Sequence, residues 1–249
     1  MEPPLFFAPP EALDNDKILL SREESHHAKS VLRLKESSPV IVIDGKGIAY
    51  FGIISDLGKQ KGAMVSVHRT VRNFGEPFVK LTLAAGLSEG SKFDLVVQKG
   101  TELGVSKFVP LETEKSKVKI ENPSKASSRV KRLERVALSA VKQCRRSLCP
   151  QIEPITRFSD FLGKTDKNSL NLIFHPGTLT NKLNLSNQKP EFKAANLLVG
   201  PESGFSEAEI KAATDAGYQT VSLGPRVLRT ETAAPVACAL TMYWLGELS

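Results

Sequence analysis

The chain has 249 residues, enough for one large domain or two modest ones with ample core either way. At 41% hydrophobic and 24% charged residues it reads as an ordinary soluble globular protein, and no stretch approaches the ~20 apolar residues of a membrane helix. A net charge of +7 and a pI near 9.3 favour a polyanionic partner and say nothing about fold.

The opening MEPPLFFAPP lacks a basic n-region and a long apolar run, so it does not read as a signal peptide. Cys144, Cys149 and Cys238 fit no zinc spacing, and an odd count is a poor disulfide framework, so a reduced, cytoplasmic chain is expected. HHAKSVLRL (26–34) carries a short helical periodicity. From 39 to 72 the pattern is a β-meander: PVIVID and IAYFGIIS flank Asp44-Gly45-Lys46-Gly47, a hairpin signal, and GAMVSVHRT follows a further turn. A small β-rich domain over 1–72 is therefore expected, with RNFGEPF (72–78) as linker to a second domain over 73–249.

Beyond the linker, strands and helices alternate. FVKLTLAAGL is a strand, after which Ser91 and Asp94 predict a capping box opening a helix. Its apolar positions Phe93, Val96, Val97, Gly100 and Leu103 keep the 3.6-residue period, and Gly104 ends it. SKFVPLET is the next strand, followed by a long helix from about Ser127 to Arg146. SLNLIFHP, ANLLVGP and YQTVSLGP are further apolar strands, and between the last two Ser206 and Glu209 predict a second capping box, for a helix ending near Gly217. Such alternation predicts an α/β domain with a parallel sheet, whose ligands bind beyond the carboxyl ends of the strands. Two strands end there in Gly-Pro bends, Gly200-Pro201 and Gly224-Pro225, like two walls of a pocket.

GKGIAY (45–50) lacks the third glycine of a dinucleotide fingerprint and lies in a hairpin, and GPESGFSE lacks the Lys-Ser/Thr of a phosphate loop. Gly200 and Gly204 instead allow close main-chain approach to a ligand, with Glu202 as a fixed charge; the plainer reading is a tight loop before a well-capped helix. His26, His27, His68 and His175 have no carboxylate or cysteine at ligand spacing, so no metal site is expected. His175-Pro176 ends a strand and either lines the pocket or forms a surface turn. On the long helix Lys131, Arg135, Lys142 and Arg146 share the face opposite Val141 and Cys144, with Arg145 adjacent. They form either a solvated face or a phosphate-tracking stripe, and Arg33, Lys35 and Lys46 make a second basic patch.

Together, GPESGFSEAEI, LGPRVLRTETAAPVA, QKGTELGV (98–105), HHAKSVLR (26–33) and the QCRR…P segment (143–150) resemble the 16S ribosomal RNA N3-uridine methyltransferases, a family of the SPOUT class. The match spans nearly the whole chain in the family's order. It implies a PUA-like β-barrel that binds RNA, a SPOUT methyltransferase domain with a C-terminal trefoil knot, and a homodimer that binds S-adenosylmethionine in the knot and acts on 16S rRNA of the small ribosomal subunit. Leu198, Gly200, Glu202 and Gly204 would line one side of the cofactor pocket, and Leu223, Gly224, Val227, Leu228 and Thr230 the other, with His175 nearby. The chain departs from the family pattern at Ser203, where a second glycine is common, at Lys142 and Arg145, where a glutamate and a glycine are common, and at Leu5, where an arginine precedes the paired aromatics.

Methylation at uridine N3 requires loss of the imide proton, which spreads negative charge onto the flanking carbonyl oxygens. Arg229 is the expected stabiliser of that charge, and Glu102 or Glu231 the group that accepts the proton or orients Arg229; the plainer reading of either glutamate is a structural ion-pair partner, and it is the one favoured for Glu231. The target base must be unpaired or flipped to expose N3. Two other readings stay open: a knotted methyltransferase acting at another RNA position, and a non-catalytic RNA-binding module that retains the fold.

Overall fold

The computed structural model describes residues 2–58, 62–88, 90–117, 122–176 and 191–248. The chain divides into two units, Met1–Glu76 with Leu138–Cys149, and Pro77–Ala137 with Pro150–Ser249. The sequence-based boundary at residue 72 is thus displaced to Glu76, and a piece of the expected second domain belongs to the first.

In the first unit β1 (Leu5–Phe7), β2 (Leu13–Asp14), β3 (Lys17–Leu19), β4 (Pro39–Ile43), β5 (Ile48–Asp56) and β6 (Met64–Arg72) form one sheet in the order β1-β4-β5-β6-β3-β2. β1 runs parallel to β4 and the other neighbours are antiparallel, with β4, β5 and β6 forming the expected meander. Asp44 makes the hairpin by accepting the Lys46 and Ile48 N–H groups on Oδ1, at 2.7 and 3.0 Å. Register shifts at Phe51/Gly52 and Ile54/Asp56 bend the β5–β6 ribbon, as bulges do. The helical periodicity before β4 appears as α1 (Arg22–His26), capped by Ser21 and continued as a π turn over His27–Val31.

Alternation along β4 and β5 buries both faces. Val40, Val42, Tyr50 and Ile54 meet Phe6, Ile18 and Val65 on one side. Ile41, Ile43 and Ala49 meet Leu5, Val141 and Cys149 on the other. The second contact explains why residues 138–149 belong here: a β-sheet face this apolar must be covered, and the end of the long helix covers it.

In the second unit β7 (Lys80–Gly86), β8 (Val105–Glu112), β9 (Gln151–Ile152), β10 (Thr156–Arg157), β11 (Leu170–Phe174), β12 (Ala194–Val199) and β13 (Gln219–Val221) are all parallel, in the order β10-β8-β7-β12-β11-β13 with β9 against β8. On one face Leu81, Leu83 and Ala85 of β7 pack against Val96 and Val97 of α2 (Lys92–Glu102), Leu133 and Ala137 of α3 (Pro123–Cys144), and Ala234, Ala237 and Cys238 of α6 (Thr230–Trp244). On the other face Ala84, Val109, Ile173 and Leu198 pack against Phe158 of α4 (Phe158–Leu162) and Ala213 of α5 (Glu207–Asp215). This is the expected helix-covered parallel sheet.

Two capping expectations came out differently. Ser206 Oγ accepts the Glu209 N–H at 3.1 Å and Glu209 Oε2 accepts the Ser206 N–H at 2.9 Å, a complete box at the start of α5. Ser91 does precede α2, but its side chain caps nothing, because Asp94 is taken by Arg132 Nη2 at 2.7 Å. All cysteines are free thiols; burial pushes Cys149 up to about 11 and Cys238 up to about 12.

Candidate active site

Because β7, β11, β12 and β13 are parallel, their carboxyl ends share one edge, which collects Gly86, His175, Gly200 and Leu223. The two Gly-Pro loops are joined there: Thr230 Oγ1 donates to the Gly200 carbonyl at 3.0 Å, and the His175 N–H donates to the Val221 carbonyl at 3.0 Å. A cavity of about 50 Å³ opens between Phe174, His175, Pro176, Leu223, Gly224, Arg226, Leu228 and Ala233. Burial and the Lys115 charge hold His175 below its ordinary value, so this wall presents a neutral imidazole at pH 7.

The walls of this cavity are mainly apolar, and glycines stand in the loops beside it. Leu223, Leu228 and Ala233 supply apolar surface, and a Cβ placed on Gly204 or Gly224 would meet nothing within 4 Å. Gly224 has φ +103°, a conformation closed to β-branched residues. Gly86 has the opposite constraint: a Cβ there would lie 2.4 Å from both N and Cδ of Pro201. Gly86→Ala must therefore push the Gly200–Gly204 loop away, and Gly224→Val must strain its turn. Strain of about 1–3 kcal/mol corresponds to a loss of about fivefold to more than hundredfold in S-adenosylmethionine affinity, read by calorimetry. Unchanged affinity in both variants would move the pocket elsewhere.

Four charged side chains gather beside the loop junction. Lys92, first residue of α2, bonds Glu202 of the Gly200 loop, Nζ to Oε1, at 2.7 Å. That hydrogen bond holds Lys92 above and Glu202 below their ordinary values; Glu231 raises Lys92 further and Arg229 opposes it, so all four interact. Arg229 is the exposed N-cap residue of α6 and Glu231 lies in its first turn. Oε2 of Glu231 is shielded from solvent and reaches no hydrogen-bond donor among the described residues.

Of the expected cofactor residues, His175, Leu223, Gly224 and Leu228 line the cavity. Gly200 and Gly204 belong to the facing loop, where a Cβ on Gly200 would lie 3.1 Å from the Gly204 Cα. Four others have different places. Leu198 is buried in the core on the α4/α5 side, so only its main chain faces the edge. Val227 is 80% exposed and does not line the cavity, and Thr230 is spent on joining the loops. Glu202 contacts Lys92 rather than the cavity.

Glu102 is not brought to Arg229. It ends α2, roughly 15 Å along the helix from Lys92 at 1.5 Å per residue, and its carboxylate is held by Lys99 at 2.9 Å. α6 runs alongside in the same direction: Arg229 and Glu231 are near Lys92, whereas a Cβ on Gly104 would lie 3.1 Å from Met242 Cε. Sequence reasoning missed Lys92 and Gly86. The available cue for Lys92 was a cation at the first position of a helix, where the backbone dipole disfavours it.

The expected basic stripe is split. Lys131 and Arg135 are exposed on α3, and Arg33, Lys35 and Lys46 are exposed in the first unit. α3 ends at Cys144, so Arg145 and Arg146 lie beyond it. Arg146 is 3% exposed and bonded to Glu76, Lys142 pairs with Glu24, and Arg145 reaches the Pro3 carbonyl and Glu2 at 3.0 and 3.2 Å. The expectation of a solvent-facing Lys142 and Arg146 is thus corrected: both serve the interior of the first unit. Leu5 is likewise core, against Ile41 and Val141. Among the described residues no His, Cys, Asp or Glu cluster is placed to hold a metal ion, and no helix is long and apolar enough to cross a membrane.

Comparison with known proteins adds to this geometry. Residues 75–242 match the RNA methyltransferase domain and residues 20–62 the RNA methyltransferase PUA domain. Ribosomal RNA small subunit methyltransferase E from Synechocystis is 31% identical, over 92% of this chain and 74% of its own, and that from Bacillus subtilis is 28% identical over 90% and 89%. The crystal structure of ribosomal RNA small subunit methyltransferase E from Neisseria gonorrhoeae bound to S-adenosyl methionine superposes with a TM-score of 0.84 at 30% identity, covering 97% of this chain and 98% of that one. A Legionella pneumophila methyltransferase solved with its cofactor gives 0.84 at 29%, covering 98% of both. With the parallel sheet, the paired Gly-Pro loops and both domain matches in place, the chain belongs to the RNA methyltransferase family that contains the ribosomal RNA small subunit methyltransferases E.

Proposed function

We propose that this protein methylates N3 of a uridine in 16S rRNA of the small ribosomal subunit, using S-adenosylmethionine, as a cytoplasmic homodimer whose C-terminal loops form a trefoil knot around the cofactor. The observation that carries the reading is the junction of the two Gly-Pro loops by the Thr230–Gly200 bond beside an apolar cavity. When bound, the cofactor supplies an activated methyl group, so the chain's own task is to hold, orient and stabilise. Leu223, Gly224, Leu228 and His175 would hold the adenosine, and the Lys92–Glu202 bond would keep the Gly200 loop in place. Arg229, exposed and without an ion pair among the described residues, is free to face the oxygens of a deprotonated uracil. Leu95 on α2 and Tyr243 on α6 are 46% and 62% exposed, apolar surface that suits a second copy of the chain.

The test is to map rRNA modifications in cells lacking the protein and after its return. Loss and restoration of a single N3-methyluridine in 16S rRNA is the expected result. A methyl lost elsewhere would indicate a knotted methyltransferase of other specificity, and no change, with cofactor binding absent, a non-catalytic RNA-binding module.

A further inference from the structure

We infer that Glu231, rather than Glu102, accepts the N3 proton of the target uracil; the inference rests on the reading above. The starting point is a carboxylate oxygen with no donor. Buried acceptors are satisfied in native proteins almost without exception, and one left open calls for a group that arrives with a hydrogen. Oε2 of Glu231 is such an oxygen. Its neighbours decide what the group is. Glu231 sits at the start of α6, one residue past Thr230, which binds the Gly200 loop, and two past Arg229. Lys92 feels the charges of both Arg229 and Glu231 and is itself bonded to Glu202. A cationic side chain and an open carboxylate oxygen thus stand beside the same loop junction.

That combination matches the two ends of one chemical event. When N3 loses its proton, the bonding pair stays on the ring and spreads onto O2 and O4. Arg229 offers donors to those oxygens, and Glu231 takes the proton on Oε2, becoming a neutral acid that returns it to water after turnover. Glu202 is unavailable for this role because Lys92 occupies its Oε1 at 2.7 Å, and Glu102 is occupied by Lys99 at the far end of α2. The α-ammonium of the cofactor is the other donor that such an oxygen could accept from, and the experiment separates the two.

Glu231→Gln keeps the size of the side chain and removes its basicity. Its kcat should fall by about 10²-fold or more, the range of a lost general base. Its affinity for S-adenosylmethionine, by calorimetry, should stay within about twofold of wild type, since tenfold would mean a direct contact worth about 1.4 kcal/mol. Glu231→Asp should recover part of the rate. Rate measurements with 5-fluorouridine at the target, whose N3–H is more acidic, provide the readout that a structural role would not move: the Gln defect should shrink as pH rises and the ring ionises without help. The inference is overturned if Glu231→Gln keeps the wild-type rate, if its defect is the same for uridine and 5-fluorouridine at every pH, or if cofactor affinity falls as far as the rate. A wild-type enzyme that places no methyl on N3 would instead overturn the underlying reading.

Discussion

Glu76→Ala is expected to destabilise the protein by about 3–5 kcal/mol, enough to leave a marginal fold largely unfolded. Glu76 is the partner of four donors. Its Oε2 accepts Nε and Nη2 of Arg146 at 3.0 and 2.7 Å, and its Oε1 accepts the N–H groups of Ser147 and Leu148 at 2.9 and 2.7 Å. Both side chains are shielded, at 3% and 6% exposure for Arg146 and Glu76, so removing the carboxylate takes away the countercharge of a buried guanidinium and the acceptor of two main-chain N–H groups. Urea titration of Glu76→Ala and Arg146→Ala measures the loss. Replacing both together, Glu76→Leu with Arg146→Met, should cost far less than either single change, because neither buried charge of the pair remains. A loss below about 1 kcal/mol in the single variants would put the pair in the class of hydrated surface bridges. The same pair explains why charge reversal at Arg146 is a poor probe of RNA binding: a glutamate beside Glu76 disrupts the first unit before any RNA is present. Lys131, Arg135, Arg33, Lys35 and Lys46, all exposed, are the sites at which salt-dependent RNA affinity is to be probed.

Arg229→Ala is expected to lower kcat by about 10²-fold or more, the magnitude seen when one donor to a developing anion is lost. Arg229 caps α6 with its main chain only: its carbonyl accepts the Thr232 and Ala233 N–H groups at 2.9 and 2.7 Å and its side chain makes no capping bond. Alanine can take over the main-chain role, so the helix and the Thr230–Gly200 junction should persist and S-adenosylmethionine should bind as before. Single-turnover rates with calorimetric cofactor affinity separate the alternatives. Equal losses in rate and affinity would make Arg229 a cofactor grip, and an unchanged rate would leave the uracil oxygens to Lys92.

The local chemistry of the chain by itself determined much of this protein. The change from period 2 to period 3.6 near residue 78 separates a meander from an alternating α/β unit, because each period places apolar side chains on one face of only one kind of element. The Gly-Pro bends mark the carboxyl ends of β12 and the β13 segment, and Ser206 with Glu209 starts α5, since each signal acts within a few residues of itself. Where a partner lies far along the chain, the same signals are silent. Ser91 and Asp94 have capping spacing, yet Asp94 is claimed by Arg132, 38 residues away. The apolar stripe of α3 from Val130 to Val141 has one period throughout, and periodicity cannot say that its end covers a sheet face in the first unit while its beginning covers β7 in the second. Arg146 continues a basic stripe on paper; a carboxylate 70 residues away removes it from the surface. At the site, motif resemblance located the loops, but which side chains enter the cavity depends on strand register and helix direction. Those turn Leu198 into core, leave Val227 in solvent, carry Glu102 to the far end of α2, and bring Lys92 and Glu231 to the loop junction beside Arg229. Tertiary packing decided these because each is a contact between elements whose separation in sequence carries no information about their separation in space.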